Sequence, residues 1–325
     1  MPATEWPVVG QHHAVDFLEN LLEFERAHPG RLGGSYIFSG PRLVGKTDAL
    51  ECFLKRLCGS EEYSDAALMS DVVRLRRQEG KHEIGISLTR EFISRLGLSS
   101  FAGKYRIGII EGADGLSTEA ANALLKTLED GRGQLMVFLL AASIERLPAT
   151  VISRSQIVSF RPVPTDEIYD WLISQHKVSR PLAKNLARLA GGRPNLALTL
   201  ATDKEALERW LAPARLLLAA PLQRLSERWS AVSSLLGSAK GPEAADTATE
   251  IFSSWRLVVR DIMLAHLNQP DLVRHAFLEQ DIKDAARRIS LSEARSLDAI
   301  FGRGIEYVDS NVSPKMALEQ ALLAL

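Results

Sequence analysis

The sequence predicts an α/β fold, with a parallel-sheet domain followed by a small helical lid and an all-helical C-terminal domain. Three observations predict it. Residues 40–47, Gly-Pro-Arg-Leu-Val-Gly-Lys-Thr, form a complete G-x-x-x-x-G-K-[ST] phosphate loop. That loop follows the apolar run Tyr36-Ile37-Phe38 and precedes a helix-like run over 47–57, the strand–loop–helix setting the motif requires. Strand and helix signals then alternate until Arg161-Pro162-Val163-Pro164 breaks the pattern, after which the chain reads as helix.

In order along the chain, short apolar runs predict strands at 36–39, 72–75, 106–110, 136–141 and 156–160. Helices fall between them. One is 87–96, where Leu88, Phe92, Ile93 and Leu96 line a face. Such a sheet places its ligand at the C-terminal strand edge. Thr165-Asp166-Glu167 opens a helical segment to about residue 201, with Gly191-Gly192 as a turn. From about 203 the chain is rich in Leu, Ala and Arg, with a loop at 238–242. The expected divisions are 1–162, 163–203 and 204–325.

The loop has a definite chemistry. Gly40, Pro41, Val44 and Gly45 shape a backbone whose N–H groups turn toward phosphate oxygens, and the following helix adds its positive N-terminus. Lys46 is expected to reach the terminal phosphates and Thr47 to hold Mg²⁺. In a phosphate-loop ATPase, a second strand ends in two acids. The first orders Mg²⁺ and the second polarises the attacking water. Here the strand 106–110 ends in Glu111-Gly112-Ala113-Asp114. Glu111 takes the metal-ordering place, also as a possible Mg²⁺ contact, and Gly112 takes the place of the catalytic carboxylate. Glycine cannot act as a base. The residues therefore describe a site that binds nucleotide with its hydrolytic half disabled. The alternative is that Asp114 or another acid fills the role.

Ser117 is a candidate N-cap for a helix over 117–130, with Ala121, Leu124, Leu125 and Leu128 on one face. Its Glu119-Ala120-Ala121-Asn122-Ala123-Leu124-Leu125-Lys126-Thr127-Leu128-Glu129 run closely resembles the helix after the acidic strand in AAA+ clamp-loader subunits of bacterial DNA polymerase III. Val9-Gly10-Gln11 is similar to that family's adenine-side box. Residues 39–47 are similar to its phosphate loop. Ser153-Arg154-Ser155 is similar to its Ser-Arg-Cys motif, with serine for cysteine. The tail at 311–319 resembles its last collar helix, whereas 207–309 offers little to match.

The resemblance implies an AAA+ domain, a lid and an oligomerising collar. It also implies ATP with Mg²⁺ as ligand, a contact from Val9 on the adenine side, and Arg154 as an arginine finger acting in trans on a neighbouring subunit's ATP. Implied partners are the motor subunits, a delta-type clamp-opening subunit and, through the assembly, the sliding clamp and primed DNA.

Departures from the motor pattern point to the delta-prime type. Gly112 breaks the acidic pair. Ala141 or Ala142 stands at the first sensor position. Asn195 stands at the second, with Arg193 two residues out of register. The family's zinc cysteines are missing. Cys52 and Cys58 alone cannot supply the four ligands of a structural zinc, so none is expected. An active motor subunit, or another AAA+ replication or recombination ATPase, stays open as an alternative.

Composition agrees with these expectations. The chain has 325 residues, 46% of them apolar, enough for two or three cores. A net charge of −1 and a pI of about 6.7 give no broad nucleic-acid footprint. Two cysteines suit a reducing compartment. Residues 1–6 lack the basic and apolar regions of a signal peptide, and no apolar run has the ~20 residues of a membrane span. A cytoplasmic protein without membrane attachment is expected.

Overall fold

A computed structural model describes residues 6–58, 71–78, 80–81, 83–97, 105–129 and 134–325. Asp130, the expected end of the helix after the acidic strand, and residues 1–5 of the N-terminus lie outside the described residues. The chain divides into two compact units. The first runs to Ile168 and includes Gly192–Leu196, and the second comprises Tyr169–Gly191 and Ala197–Leu325.

In the first unit, α1 (His12–Ala27) leads to β1 (Gly34–Ser39), and the phosphate loop joins β1 to α2 (Lys46–Cys58). Next come β2 (Val72–Arg76), α3 (Ile86–Leu96), β3 (Arg106–Glu111) and α4 (Thr118–Glu129). They are followed by β4 (Leu135–Ala141), the short α5 (Ala149–Ile152) and β5 (Gln156–Ser159). All five expected strands form, in the order β2-β3-β4-β1-β5, and every pairing is parallel.

A parallel sheet covered on both faces needs apolar residues at nearly every central position, and β1, β3 and β4 supply them. Alternation then sorts these residues to opposite sides. Tyr36, Phe38, Ile107, Ile109, Met136 and Phe138 pack with Leu18, Leu50 and Phe53 of α1 and α2. Ile37, Ile110, Val137 and Leu139 pack with Phe92 of α3 and Leu124 of α4. Gly108 of β3 lets α3 approach, because a Cβ there would lie 2.8 Å from Phe92 and 2.9 Å from Leu96.

Both expected helix faces pack on the core, with Leu88, Ile93 and Leu125 at its margin and one buried polar residue added. On α3 the fully buried residues are Thr89, Phe92 and Leu96, while Leu88 and Ile93 are only partly buried. Thr89 is tolerated there because its hydroxyl donates to Gly85 O at 3.1 Å. On α4 Ala120, Ala121, Leu124 and Leu128 are buried and Leu125 is partly buried. The expected N-cap forms, as Ala120 N donates to Ser117 Oγ at 3.2 Å.

The segment expected as a lid forms α6 (Thr165–Ser174), α7 (Arg180–Ala190) and α8 (Pro194–Thr202). Gly191 and Gly192 turn the chain with φ of +56° and +85°. The residues of α6 and α8 are shared between the two units.

The second unit continues with α9 (Lys204–Ala219), α10 (Leu225–Leu236), α11 (Pro242–His266), α12 (Glu279–Arg288), α13 (Leu291–Asp309) and α14 (Pro314–Leu322). Its core centres on Phe252, Trp255 and Phe301, with Trp255 and Phe301 ring centroids 5.2 Å apart. Gly304 leaves room for Phe252, since a Cβ there would lie 2.4 Å from that ring. Trp255 buries its indole and donates to Pro213 O at 2.9 Å. The fully buried Asp261 carboxylate accepts from Arg274 N at 3.1 Å, and from His275 N at 2.9 Å. A buried carboxylate with several donors is stable where an unpartnered one would not be. Among the described residues no helix is long and apolar enough to cross a membrane.

Candidate nucleotide site and inter-subunit arginine

The phosphate loop leaves the C-terminal end of β1, which lies between β4 and the edge strand β5. Three residues shape it through positive φ, namely Gly40 at +152°, Leu43 at +63° and Gly45 at +107°. Gly40 is required twice over. A Cβ at that position would lie 2.1 Å from Phe160 O, which belongs to the backbone leaving β5. Leu43 carries the left-handed conformation on a bulky side chain, at a cost of roughly 1–2 kcal/mol. It is also almost half exposed. Val44 anchors the loop in the core, and Thr47 stands exposed in the first turn of α2.

Lys46 folds back over the loop. Its ammonium donates to the carbonyls of Gly40 and Pro41, the latter at 2.8 Å. Burial lowers its pKa to about 8. The charge of Asp114 opposes that fall and Arg42 adds to it. Arg42 and Asp114 are therefore close enough to Lys46 to act on its charge. The backbone, the helix N-terminus and this lysine fit a polyphosphate as the motif requires.

The adenine-side segment is pinned beside the loop. Gln11 is buried and binds Arg161 both ways, with Nε2 donating to Arg161 O at 2.7 Å and Oε1 accepting from Arg161 N at 3.1 Å. Gly10, at φ +68°, packs where a Cβ would lie 2.5 Å from Val163. Val9 precedes it, half-buried. Asn195, expected at the second sensor position, also reaches the loop. Its N–H donates to Leu43 O at 3.2 Å, and its side chain donates to Asp48 of α2.

The acidic end of β3 is arranged differently. Glu111 is bound to the Arg74 guanidinium of β2 at 3.2 Å, and Arg74 is also paired with Glu51 of α2. Gly112 is exposed and left-handed, at φ +70°, with nothing within 4 Å of where a Cβ would sit. A carboxylate at 112 would meet no obstacle, yet the backbone conformation favours glycine. Asp114 lies in a 3₁₀ turn and its carboxylate accepts from Ala142 N at 3.0 Å. One of the two candidate sensor alanines therefore serves as a backbone donor to this acid.

Of the residues expected at a magnesium ion, Thr47 is exposed and Glu111 is engaged by Arg74. The acids Asp48, Glu51 and Asp114 also have partners within the chain. Among the described residues no group of three or more His, Cys, Asp or Glu could hold a metal. Cys52 and Cys58 are free thiols on α2.

Arg154 lies just past α5, exposed. Its guanidinium is paired with Glu129 at the end of α4 and also donates to Thr150 O at 3.1 Å. The sequence did not single out Arg74. Its only signal was the Val-Val-Arg-Leu-Arg alternation of β2, which puts Arg74 on the more exposed face.

A five-stranded parallel sheet with a phosphate loop after its first strand, followed by helical segments, defines an AAA+ fold. A solved structure described as a gamma-subunit-related protein of DNA polymerase III from Thermotoga maritima shares this fold. It has a TM-score of 0.53 and 17% identity, and the match covers 94% of this chain and 97% of that one.

The family described as DNA polymerase III, delta subunit, matches residues 10–164. The delta-prime subunit of Bacillus subtilis is 32% identical over 192 residues, 55% of this chain and 56% of that protein. The delta-prime subunit of Escherichia coli is 31% identical over 143 residues, 44% of this chain and 43% of that protein. The tau/gamma subunit of Haemophilus influenzae is 29% identical over 215 residues, 61% of this chain and 30% of that protein. The chain thus spans less than two thirds of the length of these curated relatives. Over these regions the chain is similar to bacterial clamp-loader subunits.

Proposed function

We propose that this chain is a delta-prime-type subunit of a replicative clamp loader, which binds ATP without hydrolysing it and lends Arg154 to a neighbouring motor subunit. Gly112 carries the reading. A left-handed, exposed glycine stands where the water-polarising carboxylate is needed, and the alternative acid Asp114 is engaged by Ala142 N. Gly40, Pro41, Val44, Gly45, Lys46 and Thr47 would hold the phosphates, with Val9 on the adenine side. Bound nucleotide would be structural, helping to order Leu43, Asn195 and α2 into one surface.

Arg154 sits at the end of a short helix and its charge is held near the surface by Glu129. A guanidinium there could reach a partner's γ-phosphate with only an exposed ion pair to break, and such pairs contribute little to stability. An arginine supplied in trans accelerates phosphoryl transfer by on the order of 10³–10⁵. Motor subunits, a clamp-opening subunit, the sliding clamp and primed DNA would be the partners.

The test is ATP hydrolysis by the reconstituted complex. Arg154→Ala should lower turnover by at least about a hundredfold at the site it faces, while assembly measured by gel filtration stays intact. Unchanged turnover would sink the finger assignment.

A motor reading has one observation in its favour, since Asp114 faces Lys46 closely enough to shift its proton affinity. Against it, the Asp114 carboxylate is engaged by Ala142 N. Turnover by the isolated chain, lost in Asp114→Asn, would favour that reading.

A further inference from the structure

We propose that this phosphate loop takes its nucleoside polyphosphate without a divalent cation, because Arg74 occupies the carboxylate a metal would need. This rests on the nucleotide-binding reading above and specifies its ligand as the metal-free polyphosphate.

The geometry is a bridge across the site's edge. Arg74 Nη1 lies 3.2 Å from Glu111 Oε1, and Nη2 is bonded to Glu51. Glu51 is on α2, whose N-terminus closes the loop, and Glu111 ends β3. One guanidinium thus joins the phosphate-binding helix to the metal-ordering position. The two carboxylates together raise the proton affinity of Arg74 against the opposing effect of burial. The guanidinium therefore keeps its charge throughout the range in which ATP is handled.

A hydrated Mg²⁺ ordered by Glu111 would have to displace this half-exposed cation or stand beside it, and like charges at such distances repel. Thr47 leaves an exposed hydroxyl for a metal, but the remaining acids are engaged. Asp114 accepts from Ala142 N, and Asp48 accepts from Asn195. Gly112 brings no carboxylate.

The charge Mg²⁺ would neutralise on a polyphosphate can be met within the chain. Lys46 and Arg42 stand at the loop, close enough for Arg42 to act on the ammonium. The N-terminal N–H groups of α2 add partial positive charge. A site built this way holds its ligand and lacks the ion that phosphoryl transfer requires.

The test is equilibrium binding of ATP to the full chain by calorimetry, once in excess MgCl₂ and once in EDTA. The expected result is a Kd equal within about twofold in the two buffers. A Kd weakened about tenfold or more in EDTA would overturn the proposal. Binding in neither buffer would overturn the nucleotide reading and this proposal with it. Binding in EDTA that survives Lys46→Ala would show that the ligand sits elsewhere, and would overturn both.

Arg74→Gln then tests the cause. With Glu111 released, binding should tighten in Mg²⁺ over EDTA by about tenfold. A variant that folds by circular dichroism and still binds equally in both buffers would remove Arg74 from the explanation. If Arg74→Gln does not fold, Glu51→Gln loosens one end of the bridge and should move the Mg²⁺ dependence in the same direction.

Discussion

Two strand ends of one sheet have followed different courses in this chain. The loop after β1 keeps every residue of a phosphate cradle, and accepts strain at Leu43 to hold its shape. The end of β3 carries Gly112 where a second acid is expected, and Glu111 is bound to Arg74. Both ends face the same sheet edge, with β4 between them. The difference teaches that the groups which grip phosphate and the groups which activate water are physically separate. Backbone N–H groups and a lysine suffice for the first task. The second needs a free carboxylate and an ordered metal. A protein can therefore keep one half as architecture and discard the other.

Several substitutions would break or sharpen this comparison. The largest effect is expected at Gly40. Gly40→Ala drives a methyl into Phe160 O and fixes an unfavourable φ, and should cost about 3 kcal/mol or more in chemical denaturation. A loss below about 1 kcal/mol would mean that the loop is far more pliable than its packing implies.

Next is the pH response of Lys46. Burial puts its pKa near 8 in the folded chain, against about 10.5 ordinarily. The ammonium therefore loses its proton as pH rises through about 8, and affinity for ATP should fall between pH 7 and 9. Binding should be accompanied by proton uptake at pH 8, seen by comparing calorimetry in buffers of different ionisation enthalpy. The linked stability runs the other way. Between pH 8 and 10.5 the unfolded chain binds the extra proton, so this residue adds stability as pH rises through that window.

Gly112→Glu addresses the other half of the comparison. It should destabilise by about 1–2 kcal/mol through the left-handed φ and restore no turnover, since Glu111 remains held by Arg74. Hydrolysis appearing in this variant would show that a single carboxylate separates the two states. Leu43→Gly removes strain from the loop and should stabilise the protein by up to about 1 kcal/mol in a denaturant midpoint. A comparably small loss, about 1 kcal/mol, is expected from Ser117→Ala at the N-cap of α4.

Much of this architecture was legible in the sequence. The five strands are short apolar runs bounded by glycine and polar residues, and a buried parallel sheet leaves that signature directly. The phosphate loop is a contiguous motif, so its place between β1 and α2 follows from order alone. Gly112 was visible by its position after a recognisable strand.

What could not be read depends on contacts far apart in the chain. Arg74 and Glu111 are 37 residues apart, and Arg74 lies on a strand whose neighbour in the sheet no local pattern reveals. Thr89 is buried because its hydroxyl finds a carbonyl one turn back, which periodicity of apolar residues cannot show. Leu43 O accepts from Asn195 N, 152 residues later in the chain, a pairing that no local pattern shows. In the second unit, the buried Asp261 reads as an ordinary helical charge until its N–H donors are placed around it.

The most direct test of the separation between grip and chemistry is steady-state ATP hydrolysis by the purified chain, at ATP concentrations shown to saturate its binding. The expected result is bound nucleotide and no turnover above background. Turnover by the chain alone, abolished in Lys46→Ala, would contradict it and would make this subunit a motor.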